Sequence, residues 1–238
     1  MFKMASTSLL IINPNSTQSV TEGLKEALGP ITPPGTTLTF YTAPSNAPPS
    51  INDATTGVLT AAACIEDIEA KGLINQFDGF LVCCFSDHPL VHILREKTAK
   101  PAIGILEAAI VQALLIGKRF GIVTTGTGYK YIHYTEVRNF LGATSERFAG
   151  LIATGLGVVE LREGDREHVK KKVKEGSAKI VAAGADVILL GCAAMAGMEE
   201  LVQQGVVEAG FEPVRIVDGA KAGVEIIAGL ARLSRSYI

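Results

Sequence analysis

The feature that most constrains this chain is an internal repeat: the order of short apolar runs and longer helical patterns that fills residues up to Lys118 begins again at Arg119. In the first half, LLII (Leu9 to Ile12) ends in polar Asn13, and a second apolar run, GFLVC (Gly79 to Cys83), delivers Cys84. In the second half, RFGIVTT (Arg119 to Thr125) ends in threonines, and ADVILLG (Ala185 to Gly191) delivers Cys192. Asn13 and Cys84 are 71 positions apart, and Thr124 and Cys192 are 68 apart. Strands that alternate with helical patterns imply α/β layering on a mostly parallel sheet. The repeat therefore predicts two similar lobes, each a mostly parallel four-stranded sheet flanked by helices, facing one another across a cleft. A single doubly wound sheet is the other solution that periodicity permits. Ligands of open α/β sheets bind beyond the carboxyl ends of the strands, so both cysteines and both polar strand ends would line that cleft. The expected division is residues 1–105 for the first lobe and 106–217 for the second, with a closing helix over 218–238 packed back onto the first.

Finer punctuation fills in the elements. A helix is expected from Gln18 to Leu28 with Ser16 and Thr17 as N-caps, a strand at Thr37–Tyr41, and a helix from Asn52 to Lys71 after the proline-rich APSNAPPS. Pro89 suits the first position of a helix that Asp87 could cap. PAIGI (Pro101 to Ile105) leads into the helix EAAIVQALLIG. Beyond the second start, helices are expected at Tyr129–Phe140, Arg162–Ala183, Met195–Glu208 and Ala220–Leu233, with strands at Arg147–Ala153 and Pro213–Val217.

Composition removes several classes of function. With 238 residues, 47% of them hydrophobic, the chain can bury a core without a disulfide or metal staple. Lys+Arg 22 against Asp+Glu 24 leaves a net charge of -2, and the basic run KKKVK (Lys170 to Lys174) is interleaved with Glu163, Asp165, Glu167 and Glu175. A phosphate-backbone partner is not expected. No apolar run reaches the roughly 18 residues of a membrane span. Four cysteines, two of them adjacent, suit free thiols in a reducing compartment, so the expected location is the cytoplasm. TTGTG (Thr124 to Gly128) lacks the spacing and lysine of a P-loop, and no G-x-G-x-x-G follows the first strand. His88, His92, His133 and His168 are too scattered for a metal site, and HPLVH lacks the glutamate of a zinc protease.

Cys84 and Cys192 each sit where a strand gives way to a helix, where backbone N–H groups and the helix dipole favour a thiolate. Two such thiols across a cleft could remove a proton from one face of a carbon centre and return one to the other, inverting it without a cofactor. The carbanion formed between these steps needs hydrogen-bond donors. Candidates are the N–H groups of Phe85, Ser86, Ala193 and Ala194, the hydroxyls of Ser86, Thr124 and Thr125, and the amides of Asn13 and Asn15. His88, four residues beyond Cys84, and Glu107, at a helix start, are possible further ligand contacts. Cys64 reads as core, and Cys83 should point away from Cys84 by strand alternation. No arginine falls at the strand ends; Lys118, Arg119 and Lys130 are the nearest cations. That favours a neutral, amide-like ring as ligand.

INPNS (Ile12 to Ser16), CFSD (Cys84 to Asp87), GILEAA (Gly104 to Ala109), RFGIVTT and LGCAAM (Leu190 to Met195) occur in this order over almost the whole chain. In them the sequence resembles the hydantoin and allantoin racemases of the aspartate/glutamate racemase superfamily. The resemblance implies a cofactor-independent enzyme, a homo-oligomer, that inverts the C5 centre of allantoin or a related 5-substituted hydantoin. Cys84 and Cys192 match its two acid/base positions, and Asn13, Ser86, Thr124, Thr125 and Ala193 match positions that approach the ligand. Two departures stand out: His88 follows Asp87 where the pattern has proline then glycine, and Ala194 stands where it has glycine. An isomerase or decarboxylase on the same scaffold, or a noncatalytic metabolite-binding protein, are the alternatives.

Overall fold

The computed structural model describes residues 6–126 and 130–234, except the side chains at 130 and 131. Two four-stranded, wholly parallel sheets form. The first contains β1 (Thr7–Asn13), β2 (Thr36–Thr42), β3 (Gly79–Val82) and β4 (Ala102–Gly104), in the order β2-β1-β3-β4. The second contains β5 (Phe120–Thr124), β6 (Phe148–Ala153), β7 (Val187–Gly191) and β8 (Arg215–Asp218), in the equivalent order β6-β5-β7-β8. Central strands of parallel sheets are covered on both faces and so read as continuous apolar runs. Every residue of β3, β5 and β7 is buried, whereas the edge strand β2 alternates between partly buried and exposed up to Phe40 and buries only Tyr41.

Helices α1 (Gln18–Leu28), α2 (Ala54–Ala70), α3 (Leu73–Gln76), α4 (Pro89–Lys97) and α5 (Ile105–Ile116) belong to the first half of the chain, and α6 (Lys130–Leu141), α7 (Val158–Glu163), α8 (Arg166–Ala182), α9 (Glu199–Glu208) and α10 (Gly219–Ser234) to the second. The last of these crosses back to lie on α5, β1 and β3. Its approach to β3 is close: a Cβ on Gly223 would stand 2.5 Å from Leu81 Cδ1. The expected helix start at Tyr129, the end of TTGTG and the last four residues of the chain lie outside the described residues.

Several local expectations are corrected. The single helix over 162–183 is two helices, because Gly164 ends α7 in extended backbone and Asp165 restarts the chain by accepting from His168 N at 2.8 Å. The helix expected from Met195 begins at Glu199; Cys192 leads instead into a single 3-10 turn, Ala193–Met195, and Gly197 takes φ +83. Thr17 occupies the cap position of α1, but its hydroxyl donates to Pro49 O at 2.6 Å, and that of Ser16 donates to Ala47 O at 2.9 Å. Both tie the turn after β1 to the proline-rich connection. Asp87 does not cap α4. Its carboxylate accepts from His92 Nε2 at 2.6 Å, and the cap is the His88 ring, whose Nδ1 accepts from Leu90 N at 3.3 Å.

Candidate active site

The carboxyl ends of β1, β3, β5 and β7 meet at one pocket, lined by Cys84, Phe85 and Ser86 from one lobe and by Thr124, Thr125, Cys192 and Ala193 from the other. Asn15 and His133 complete its polar wall. The free space at the thiols is about 40 Å³.

The adjacent thiols Cys83 and Cys84 are distinguished by their partners. Cys83, which also borders the pocket, is buried with its Sγ 3.9 Å from Leu81 O, and burial, followed by the field of Asp218, pushes its thiol well up. Cys84 Sγ lies 3.1 Å from Ser86 Oγ and within the fields of Cys192 and Glu136. Cys64 is buried in α2 with its Sγ 3.6 Å from Pro14 O.

The strand-to-helix position does not lower the thiols as expected. Burial outweighs the nearby donors, because a thiolate loses more hydration than a few N–H groups replace. Cys84 is pushed up to about 12; the Ser86 hydroxyl opposes the rise, whereas the charges of Cys192 and Glu136 add to it. Cys192 is also raised by burial, but it receives the N–H groups of Ala194 and Met195, the Thr125 hydroxyl and the field of Arg162, all favouring its thiolate. The two lobes thus treat matched cysteines differently.

Three sequence candidates are not in the pocket. Asn13 is fully buried: Nδ2 donates to Thr17 O at 3.0 Å and to Thr21 Oγ1 at 3.1 Å, while Oδ1 accepts from Asn15 N at 3.3 Å, so its amide holds the turn together. His88 faces α2, with Nε2 3.1 Å from Thr60 Oγ1. Glu107 closes its own helix start by accepting from Gly104 N at 2.9 Å and pairs with Arg95 at 2.8 Å. Thr124 does line the pocket, yet its proton is committed to Gly191 O at 2.5 Å. The departure at Ala194 is absorbed: no described non-glycine residue has positive φ, and its methyl is buried while its N–H reaches Cys192.

Sequence reasoning missed two features. One is a buried pair in α6, His133 Nδ1 donating to Glu136 Oε2 at 2.7 Å, whose three-residue spacing on a helix was its available signal. The other is Arg162. Its Nη2 donates to Ala196 O at 3.1 Å, and its guanidinium lies against the backbone of α1 at Gly23, where a Cβ would stand 2.4 Å from Cζ. Arg162 backs Cys192 without lining the pocket, so the described lining carries no lysine or arginine. Lys118 and Arg119 sit at the opposite end of β5, where their N–H groups bind Asp186.

Two matched parallel lobes each present a thiol to a shared cleft. The chain belongs to the Asp/Glu/Hydantoin racemase family, whose model matches residues 9–227. An uncharacterised protein of Schizosaccharomyces pombe is 39% identical over 227 residues, covering 95% of this chain and 92% of that protein. A hydantoin racemase of Pseudomonas sp. (strain NS671) is 28% identical over 225 residues, covering 94% and 86%. The allantoin racemase from Klebsiella pneumoniae superposes with a TM-score of 0.85 at 28% identity, covering 96% of this chain and 89% of that one. These likenesses support racemase activity. Among the described residues, no helix is long and apolar enough to cross a membrane.

Proposed function

We propose that this chain inverts the C5 stereocentre of allantoin or a related 5-substituted hydantoin by cofactor-independent proton transfer between Cys192 and Cys84. The observation that carries the reading is that these two thiols, from equivalent strand ends of opposite lobes, line one pocket. Among the described residues the wall offers hydroxyl, amide and imidazole groups, which suit a neutral ring with several N–H and C=O groups; the Lys130 side chain lies outside the described residues.

The asymmetry around the thiols supports unequal roles for them. Burial raises both thiols, but Cys192, with two N–H donors, a hydroxyl and a cation nearby, is the more readily ionised and acts as the base, whereas Cys84, beside Glu136, holds its proton more tightly. Cys192 takes the C5 proton and its electron pair moves onto the adjacent carbonyl as an enolate. Cys84 then delivers its own proton to the opposite face. The enolate oxygen needs donors that the thiols do not already use. Asn15, whose Oδ1 is occupied by Thr17 N at 3.0 Å, has its Nδ2 to offer. Phe85 and Ala193 border the same space, and their backbone N–H groups are further candidate donors.

The test follows each enantiomer of allantoin, and of a 5-benzyl hydantoin, in D₂O by optical rotation and deuterium uptake, with the protein-free rate subtracted. Loss of rotation with C5 deuteration, abolished in Cys84→Ser and Cys192→Ser, is expected. Loss of carbon dioxide would indicate a decarboxylase, and saturable binding without exchange a metabolite-binding protein; either overturns the proposal.

A further inference from the structure

We infer that Glu136 is a positioning residue that locks the first-cysteine loop across the cleft, gripping the backbone at Asp87 with one carboxylate oxygen and the His133 ring with the other. It rests on the proposed racemisation and adds to it a device for fixing Cys84. The carboxylate is nearly buried, 10% exposed, in α6 of the second lobe. Oε1 accepts from Asp87 N, three residues after Cys84 in the first lobe, at 2.9 Å, and Oε2 accepts from His133 Nδ1 at 2.7 Å. His133 is itself buried, lines the pocket beside both thiols and meets the Phe85 ring edge-on at 5.9 Å.

Burying a carboxylate is costly unless its lone pairs are filled. A surface position on α6 would avoid that cost, so the placement needs a return. That return is registration. The segment Cys84–His88 is irregular backbone between β3 and α4, and the Glu136 bond holds it to the opposite lobe. Because Asp87 turns its own side chain outward to His92, it is the backbone that is gripped. The same bonds orient the His133 ring against Phe85, so one residue sets both the height of Cys84 and the wall facing it. Displacing a reacting group by about 1 Å costs up to about a hundredfold in rate.

Three variants test this. Glu136→Ala removes both bonds; Glu136→Gln keeps an acceptor of the same reach for Asp87 N while losing the charge; Glu136→Asp keeps the charge but is one methylene too short to hold both partners. Hydrogen exchange at the Asp87 amide reads the grip without any substrate, and kcat and KM for the preferred ring read its consequence. The expected result is exchange at least tenfold faster and kcat about 10- to 100-fold lower in Glu136→Ala, with Glu136→Gln retaining more protection and more kcat than Glu136→Asp. Unchanged exchange or an unchanged kcat in Glu136→Ala overturns the inference. Should Glu136→Ala not fold, the ranking of the other two decides: Glu136→Asp equal to or above Glu136→Gln means that the charge, not the grip, matters. A wild-type protein that turns over no ring, while its Asp87 amide still depends on Glu136, would refute the proposed activity and leave the grip standing.

Discussion

The guanidinium of Arg162 makes the thiolate assignment testable from a residue outside the pocket. Replacing Arg162 with Met keeps the aliphatic stem and removes the charge that favours the Cys192 thiolate. A partly buried charged interaction of about 1–2 kcal/mol corresponds to about 5- to 30-fold in thiolate population at fixed pH. We expect kcat/KM for the preferred ring to fall by about that factor at pH 7 to 8. The sign follows from the charge: without the cation, Cys192 ionises at higher pH, so the rising limb of the pH-rate profile moves to the alkaline side and the deficit shrinks as pH rises. Gly23→Ala reaches the same group from the other lobe. Its new methyl would sit 2.4 Å from Cζ, so the guanidinium must withdraw by about 1 Å to an ordinary 3.4 Å contact, breaking its bond to Ala196 O. Alanine in place of a helical glycine returns about 0.5–1 kcal/mol, against about 1.5–3 for a lost charged hydrogen bond, leaving a net destabilisation of about 1–2 kcal/mol. Chemical denaturation with pH-rate profiles of both variants measures the two effects. A profile unmoved along the pH axis in Arg162→Met, or one lowered equally at every pH, would refute the role given to this cation.

His88 makes the fold acid-sensitive. Its Nδ1 accepts from Leu90 N, so the ring carries its proton on Nε2 toward Thr60, and burial lowers its pKa from 6.5 to about 4. The unfolded chain therefore takes up a proton that the folded one refuses: the stability is fully present above about 6.5 and is lost as pH falls toward 4, about 3 kcal/mol in all. His88→Asn, which can still cap α4, should flatten denaturation midpoints over that window; an unchanged slope would remove His88 as the cause. Gly223→Ala presses on Leu81 at 2.5 Å in a filled core and should destabilise by about 1–2 kcal/mol after the helix-propensity gain, with Leu81→Val in the same chain recovering part. Additive effects in that double variant would mean that α10 is not held to β3 through this contact.

The repeat made the architecture legible because buried parallel strands have no choice of composition: LLII, GFLV, FGIV and VILLG are apolar throughout, and each hands over to polar residues at the carboxyl end. Cys84, Cys192, Ser86, Thr125 and Ala193 were readable as pocket residues for the same reason, since a strand end fixes position in space as well as in sequence. Asn13 and His88 misled because short polar side chains serve turns and caps as readily as ligands, and the choice depends on which way the chain leaves the strand. Arg162 and Glu136 gave no comparable sign. Glu136 reaches the first-cysteine loop across the cleft, a contact that exists only once the lobes are docked, and Arg162 approaches Cys192 from α7 of the same lobe while packed against α1 of the other.

Two lobes of like topology would by themselves give two like thiols, and two like thiols are a poor acid/base pair. If both are protonated there is no base; if both are ionised, their mutual repulsion works against the site. The chain breaks the equivalence with groups that the repeat does not duplicate. Cys192 opens a 3-10 turn whose N–H groups point back at its sulfur and has Arg162 behind it, whereas Cys84 leads into irregular backbone, bonds to a neutral hydroxyl and lies in the field of a carboxylate. In the proposed mechanism, the single proton shared between the two sulfurs therefore favours Cys84. A consequence is kinetic: the enantiomer whose C5–H faces Cys192 meets the resting form, while its mirror image requires the form with the proton on Cys192. The chemical equilibrium between enantiomers stays at unity, so this difference between the forms appears in the separate kcat and KM values of the two directions and not in their kcat/KM ratio.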